Sequence, residues 1–251
     1  MLSAQTMPER VDIWLSAKTK ECLYMPAEKE RISLLLCYAL PLLTDEPEVL
    51  FHSLKQQISM YPVDTPANHF IHFCEYLKEF TGKSLWIERS GGSLPHTREI
   101  LNCWPKAKLI HFYRDGRETA CSMRAHPVFR MFVMKRLGIQ WNPDFYPPIE
   151  EFGKMWSEWV TEAVSAMQQA NAEVLAISYE SLMAEPEQAL THFLRFTTDR
   201  IKLTREDSAW IETVAAGTAA APNHYSQLTV EEQSRLDETC GPGMRALGYP
   251  I

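Results

Sequence analysis

The chain has 251 residues, 45% of them hydrophobic and 23% charged, enough for one α/β domain with a sizeable core and too few for a second full one. Lys+Arg 25 against Asp+Glu 32 leaves a net charge of −7, which argues against bulk nucleic-acid binding, so an anionic ligand must be captured by a local cluster. Six scattered cysteines (Cys22, Cys37, Cys74, Cys103, Cys121 and Cys240) without any Cys-x-x-Cys read as reduced thiols of a cytoplasmic protein. The polar amino end offers no signal peptide. The longest apolar run, Ile32 to Leu43, contains Ser33 and Pro41 and is too short for a membrane span.

In chain order, residues 8–80 read as helices punctuated by Pro41, Pro47, Pro62 and Pro66, with apolar patches at Leu34 to Leu40 and at Val49, Leu50, Leu54, Ile58 and Met60. A helix through His69, Phe73, Cys74, Leu77 and Phe80 stops at Thr81-Gly82. Leu85 to Glu88 reads as the first core strand, and Leu94 to Cys103 as a helix with Ser93 as its cap. Lys108 to Tyr113 is a second strand. Glu118 to Arg136 is helical, with an interruption near His126-Pro127. The aromatic, proline-rich stretch Gly138 to Ile149 is a loop whose Trp141, Phe145 and Tyr146 suit either an acceptor pocket or a lid packed on the core. A long helix over Glu150 to Asn171 buries Phe152, Met155, Trp156, Trp159, Val160, Ala163 and Met167 on one face. Val174 to Tyr179 is a third strand, and the remainder is helical around a loop at Gly217 to Pro222. Strands alternating with helices imply a helix-rich α/β fold, a parallel sheet flanked by helices in a single domain over 1–251.

The segment Lys106 to Arg124, KAKLIHFYRDGRETACSMR, carries the chemistry. Leu109, Ile110, Phe112 and Tyr113 suit an interior parallel strand, and Asp115-Gly116 breaks it. Arg114 leaves the strand where α/β sheets collect ligands, beside a helix start whose free N–H groups favour anions. Its planar fork suits a phosphate, and Ser122, eight residues later, can add a hydroxyl. Arg117 and Arg124 can add charge to the same cluster, although Arg117 and Glu118 also suit surface or helix-end pairs.

These residues resemble the 3′-phosphate-binding section of sulfotransferases that use 3′-phosphoadenosine-5′-phosphosulfate (PAPS), in which an Arg-Asp-x-Arg turn is followed by a helix serine. Three further blocks are similar to that family in the same order: LWIERSGGSLPH (85–96), VLAISYESLMAEPEQALTHFLRF (174–196) and YSQLTVEEQSRLDETCGPGMRALGYP (225–250). The resemblance covers roughly 83–251. It implies a P-loop nucleotide-hydrolase-like fold, PAPS as co-substrate and no metal. The sulfuryl group would go to a hydroxyl, or less readily an amine, of a small-molecule, carrier-bound or carbohydrate acceptor.

The resemblance also maps roles. Arg114 and Ser122 hold the 3′-phosphate, Tyr179 lies near the adenine, and the loop from Gly217 lies where the family closes over the nucleotide, although GTAAAPN lacks the usual basic residues. Arg89 stands where the family has lysine or arginine. Glu88 can serve as base or orient cations, or the two can form a structural ion pair. His96 can reach an acceptor hydroxyl or simply start a helix. His52, His69 and His72 are alternative bases, and His111 reads as a core or sheet-face residue.

One family element has no counterpart. The loop that cradles the 5′-phosphosulfate, (Lys/Arg)-Ser-Gly-Thr-Thr, is matched nowhere in residues 1–82, which contain no glycine before Gly82. Ser90-Gly91-Gly92-Ser93 is a substitute anion nest or a plain helix cap. A chain truncated at its amino end is one expectation. The other is a sulfotransferase-like module that binds a nucleotide or partner without doing chemistry. An unrelated nucleotide kinase is disfavoured by the absence of Gly-x-x-x-x-Gly-Lys-Ser/Thr.

Overall fold

Pro47 and Pro66 each open a helix at its first turn, where a missing N–H costs nothing. In the computed structural model, which describes residues 39–89, 92–219 and 223–250, these helices belong to the first of two compact units, 1–88 and 89–251. The apolar patch from Leu34 to Tyr38 lies outside the described residues.

In the first unit a 3-10 turn at Leu40–Leu42 precedes α1 (Pro47–Met60) and α2 (Pro66–Phe80). Leu40, Leu50 and Leu54 are fully buried, with Phe51, Phe73, Tyr76 and Leu77 packed against them. Of the apolar set expected on α1, Val49 and Met60 face solvent instead. Thr65 caps α2 by accepting the Asn68 N–H, and the helix ends before Gly82 at φ +62.

The strand expected at Leu85 to Glu88 is not there: this segment pairs with no strand among the described residues. Trp86 turns inward, its indole N–H donating to Glu75 at 2.9 Å and its ring edge meeting Phe70. Leu85 and Ile87 point out, 47% and 53% exposed. One anchored aromatic between two exposed aliphatics makes this a strap on α2, since an interior strand would bury both faces.

The second unit runs α3 (Thr97–Cys103), β1 (Leu109–Tyr113), α4 (Gly116–Ala125), α5 (Pro127–Arg136), α6 (Ile149–Gln169), β2 (Val174–Ser178), α7 (Tyr179–Ala184), α8 (Pro186–Thr198), α9 (Arg205–Ala216) and α10 (Val230–Ala246). The fold is α/β and helix-rich, with a small parallel sheet. Among the described residues that sheet has two strands, not three, paired from Leu109↔Val174 to Tyr113↔Ser178, so both carboxyl ends emerge side by side. His111 is buried in β1 and Phe112 is 54% exposed, the reverse of an all-apolar interior strand.

The core forms where α6 meets α4 and α10: Phe152, Met155, Trp156 and Val160 pack with Ala120, Met123, Leu236, Cys240 and Met244. Ser157 is buried on the same face because its hydroxyl accepts the Gly243 N–H at 2.7 Å, within the turn of α10 that contains Pro242. Among the described residues, no helix is long and apolar enough to cross a membrane.

Candidate functional site

The turn from β1 into α4 is fixed at both of its central residues. Asp115 caps α4, accepting the Arg117 N–H at 2.8 Å. Gly116 follows at the first helical position, two residues earlier than the expected start at Glu118. A Cβ there would lie 2.2–2.5 Å from the Trp156 ring, so only glycine lets the turn approach α6 this closely. The chain end closes over the same turn. Gly248, at φ +78, folds Tyr249 back so that its hydroxyl donates to Glu180 at 2.7 Å, and Glu180 also accepts the Asp115 N–H at 3.0 Å. Burial, followed by this bond to Glu180, pushes the Tyr249 hydroxyl pKa well up.

Arg114 leaves β1 half-buried. Its Nη2 donates to Glu118 at 3.2 Å, and its guanidinium carbon lies 4.6 Å over the Tyr179 ring. Glu118 is nearly buried, 9% exposed, and accepts two further bonds, from the backbone N–H groups of His224 and Tyr225. The Tyr179 hydroxyl reaches the Ala219 carbonyl at 3.4 Å. Arg114, Tyr179, Ala219 and the backbone of His224 and Tyr225 are therefore gathered at the carboxyl ends of the two strands. Ser122 is exposed on α4, one turn beyond Glu118 and so on the helix face along which Arg114 lies.

Neither neighbouring arginine is available to join Arg114. Arg117 donates to both oxygens of Asp115 and to Asp237, lies over Tyr225, and is held firmly charged, chiefly by Asp115. Arg124 bonds Glu232 at 3.1 Å. Both staple α4 to α10, so the expected three-arginine cluster reduces to Arg114. Glu118, in turn, is no surface pair but the buried acceptor that ties Arg114 to the backbone of His224 and Tyr225. Its i,i+4 spacing from Arg114 was visible in sequence; its burial was not.

The other expected residues are dispersed. Gly217 ends α9 at φ −87, a conformation open to any residue, with no close neighbour for a Cβ. Glu88 ends the first unit and Arg89 begins the second, both exposed. His96 is exposed at the end of a 3-10 turn, 3.9 Å from Glu99. Ser90 and Gly91, half of the possible anion nest, lie outside the described residues.

In the first unit Tyr61 stacks on His72 at 4.8 Å and lies 6.3 Å from His69. Burial keeps His111 below the ordinary histidine value. The four described cysteines are free thiols. Burial raises Cys74 and Cys240 to about 12 and Cys121 to about 11, which withholds the thiolate a nucleophile needs. Among the described residues no three His, Cys, Asp or Glu side chains gather as a metal would require. A cavity of about 510 Å³ opens beside β2, α7 and α8, lined by Leu175, Ile177, Glu180, Glu185 and His192. Its carboxylates do not suit an anionic donor, and neither Arg114 nor Ser122 lines it.

A family model described as "Sulfotransferase family" matches residues 27–198, more than half of the chain, and the chain belongs to that family. The matched range begins well before the blocks read from sequence and ends before the tail block at 225–250. No curated protein and no solved structure matches at a significant level. Membership supports a sulfotransferase-type activity.

Proposed function

We propose that this sulfotransferase-family chain takes PAPS as its donor and moves the sulfuryl group to a hydroxyl, less readily an amine, of a small-molecule, carrier-bound or carbohydrate acceptor. The observation that carries this reading is Arg114, poised at the carboxyl end of β1, stacked on Tyr179 and bound through one nitrogen to Glu118. The guanidinium keeps further N–H donors for a phosphate. Ser122 adds a hydroxyl from the helix face along which Arg114 lies.

In the proposed reaction a base takes the acceptor's proton, the acceptor oxygen bonds to sulfur, and the bond from sulfur to the bridging oxygen breaks. The products are the sulfated acceptor and 3′-phosphoadenosine 5′-phosphate. Arg114 and Ser122 position the nucleotide, and Tyr179 positions Arg114. Glu88, Arg89 and His96 remain the candidates for proton removal and for steadying charge on the departing phosphate. A second reading, nucleotide or partner binding without chemistry, is favoured by the absence of any glycine before Gly82. Incubating the full chain with PAPS labelled in its sulfuryl group and a panel of hydroxyl acceptors separates the two. Labelled product supports transfer, whereas binding without product across the panel supports the second reading.

A further inference from the structure

The two residues that flank Arg114 are both held, directly or at one remove, by Tyr249. Tyr113, the last residue of β1, meets the Tyr249 ring edge-on, with centroids 5.9 Å apart and planes at 88°. On the other side, the Asp115 N–H donates to one oxygen of Glu180 at 3.0 Å. The Tyr249 hydroxyl donates to the second oxygen of that carboxylate at 2.7 Å. Tyr249 thus brackets Arg114, packing on the residue before it and reaching the residue after it through Glu180. The bracket matters because β1 ends at Tyr113, paired with Ser178, and α4 begins only at Gly116. Arg114 and Asp115 lie between the two elements, where the strand ladder no longer fixes the backbone. A guanidinium fork matches a phosphate in few directions, so the backbone that carries it must be held as firmly as the side chain. Glu118 and Tyr179 hold the far end of Arg114. Tyr249 and Glu180 hold its root.

We propose that Tyr249 and Glu180 are positioning residues that fix the backbone on both sides of Arg114 and so set the preference of the site for a 3′-phosphorylated nucleotide. Both act through Arg114 and neither contacts the ligand. The inference rests on the reading of Arg114 given above as a 3′-phosphate ligand. Titration calorimetry of the full chain with 3′-phosphoadenosine 5′-phosphate and with AMP tests it, the readout being the ratio of the two affinities. Tyr249→Phe removes one oxygen and keeps the ring against Tyr113, and the ratio should fall at least about threefold. Glu180→Ala frees the Asp115 N–H as well, and the ratio should fall at least about tenfold. Glu180→Gln keeps a carbonyl for the Asp115 N–H and an amide N–H for the Tyr249 oxygen, and should retain most of the ratio. The affinity for AMP should stay within about twofold in all three.

A role confined to stability would lower both affinities together and leave the ratio alone, and that result overturns the proposal. A ratio unchanged in Tyr249→Phe and Glu180→Ala overturns it too, while leaving the Arg114 reading intact. A loss in Glu180→Gln as large as that in Glu180→Ala would show that the charge of the carboxylate matters and its hold on the backbone does not, which also overturns the positioning role. Should Glu180→Ala not fold, Tyr249→Phe decides by the same ratio: a fall supports the bracket and no change removes it. Equal affinities for the two nucleotides in the unaltered protein remove the Arg114 reading first, and this inference with it.

Discussion

The guanidinium of Arg114 lies 4.6 Å over the ring of Tyr179, joining the first residues beyond the two parallel strands. This stacking orients a cation whose planar fork is useful to a phosphate only in a limited range of directions. Tyr179→Leu should weaken binding of 3′-phosphoadenosine 5′-phosphate by roughly 0.5–2 kcal/mol, the range for such contacts. Tyr179→Phe, which keeps the ring, should stay near the unaltered affinity. A large loss in the phenylalanine variant would mean that the hydroxyl, through Ala219, matters more than the stacking.

Glu118 accepts from Arg114, His224 and Tyr225, all donors. Glu118→Gln would turn an amide N–H₂ toward at least one of those donors. The expected cost in urea unfolding is about 1–3 kcal/mol. An unchanged midpoint would show that His224 and Tyr225 are held by other contacts.

Gly116→Ala places a methyl 2.2–2.5 Å from the Trp156 ring, itself in the core at 4% exposure. Overpacking of this kind costs about 1–3 kcal/mol. Chemical denaturation should show the loss. A variant as stable as the original would mean that α4 and α6 can separate freely.

Glu232 closes the capping box of α10 with Thr229 and accepts from Arg124. The Thr229 backbone N–H, and after it Arg124, hold the Glu232 pKa below its ordinary 4.5. A carboxyl depressed in the folded state stabilises above its unfolded pKa, and that contribution is lost as pH falls through and below about 4.5. Glu232→Gln should therefore be less stable at pH 7 and lose less on acidification. Thermal melts from pH 7 to pH 3 that run parallel for both proteins would contradict this.

Where local chemistry decides, the sequence was legible. The α6 stripe of Phe152, Met155, Trp156 and Val160 follows from helical period, and the β1–α4 turn from Arg-Asp-Gly. Leu85 to Glu88 misled because a short apolar run cannot tell a sheet interior from a strap whose Trp86 is anchored to Glu75. The arginines misled for a different reason. Arg124 is taken up by Glu232, and Arg117 in part by Asp237, both from α10 and more than a hundred residues away, whereas Arg117's nearer partner Asp115 is its neighbour in sequence. Ser157 and Arg130 were passed over because polar residues normally face water, and only packing reveals the buried exceptions. Of the proposed site, Arg114 and Tyr179 were found from sequence and meet in space. Glu118, which ties Arg114 to the backbone of His224 and Tyr225, was not.

The most direct measurement is calorimetry of the full chain with 3′-phosphoadenosine 5′-phosphate against AMP, repeated on Arg114→Ala. The account predicts clearly tighter binding of the 3′-phosphorylated nucleotide, and a loss of roughly 1.5–3 kcal/mol confined to that ligand in the variant. Equal affinities for the two nucleotides, or an Arg114→Ala variant that still prefers the 3′-phosphate, would contradict it.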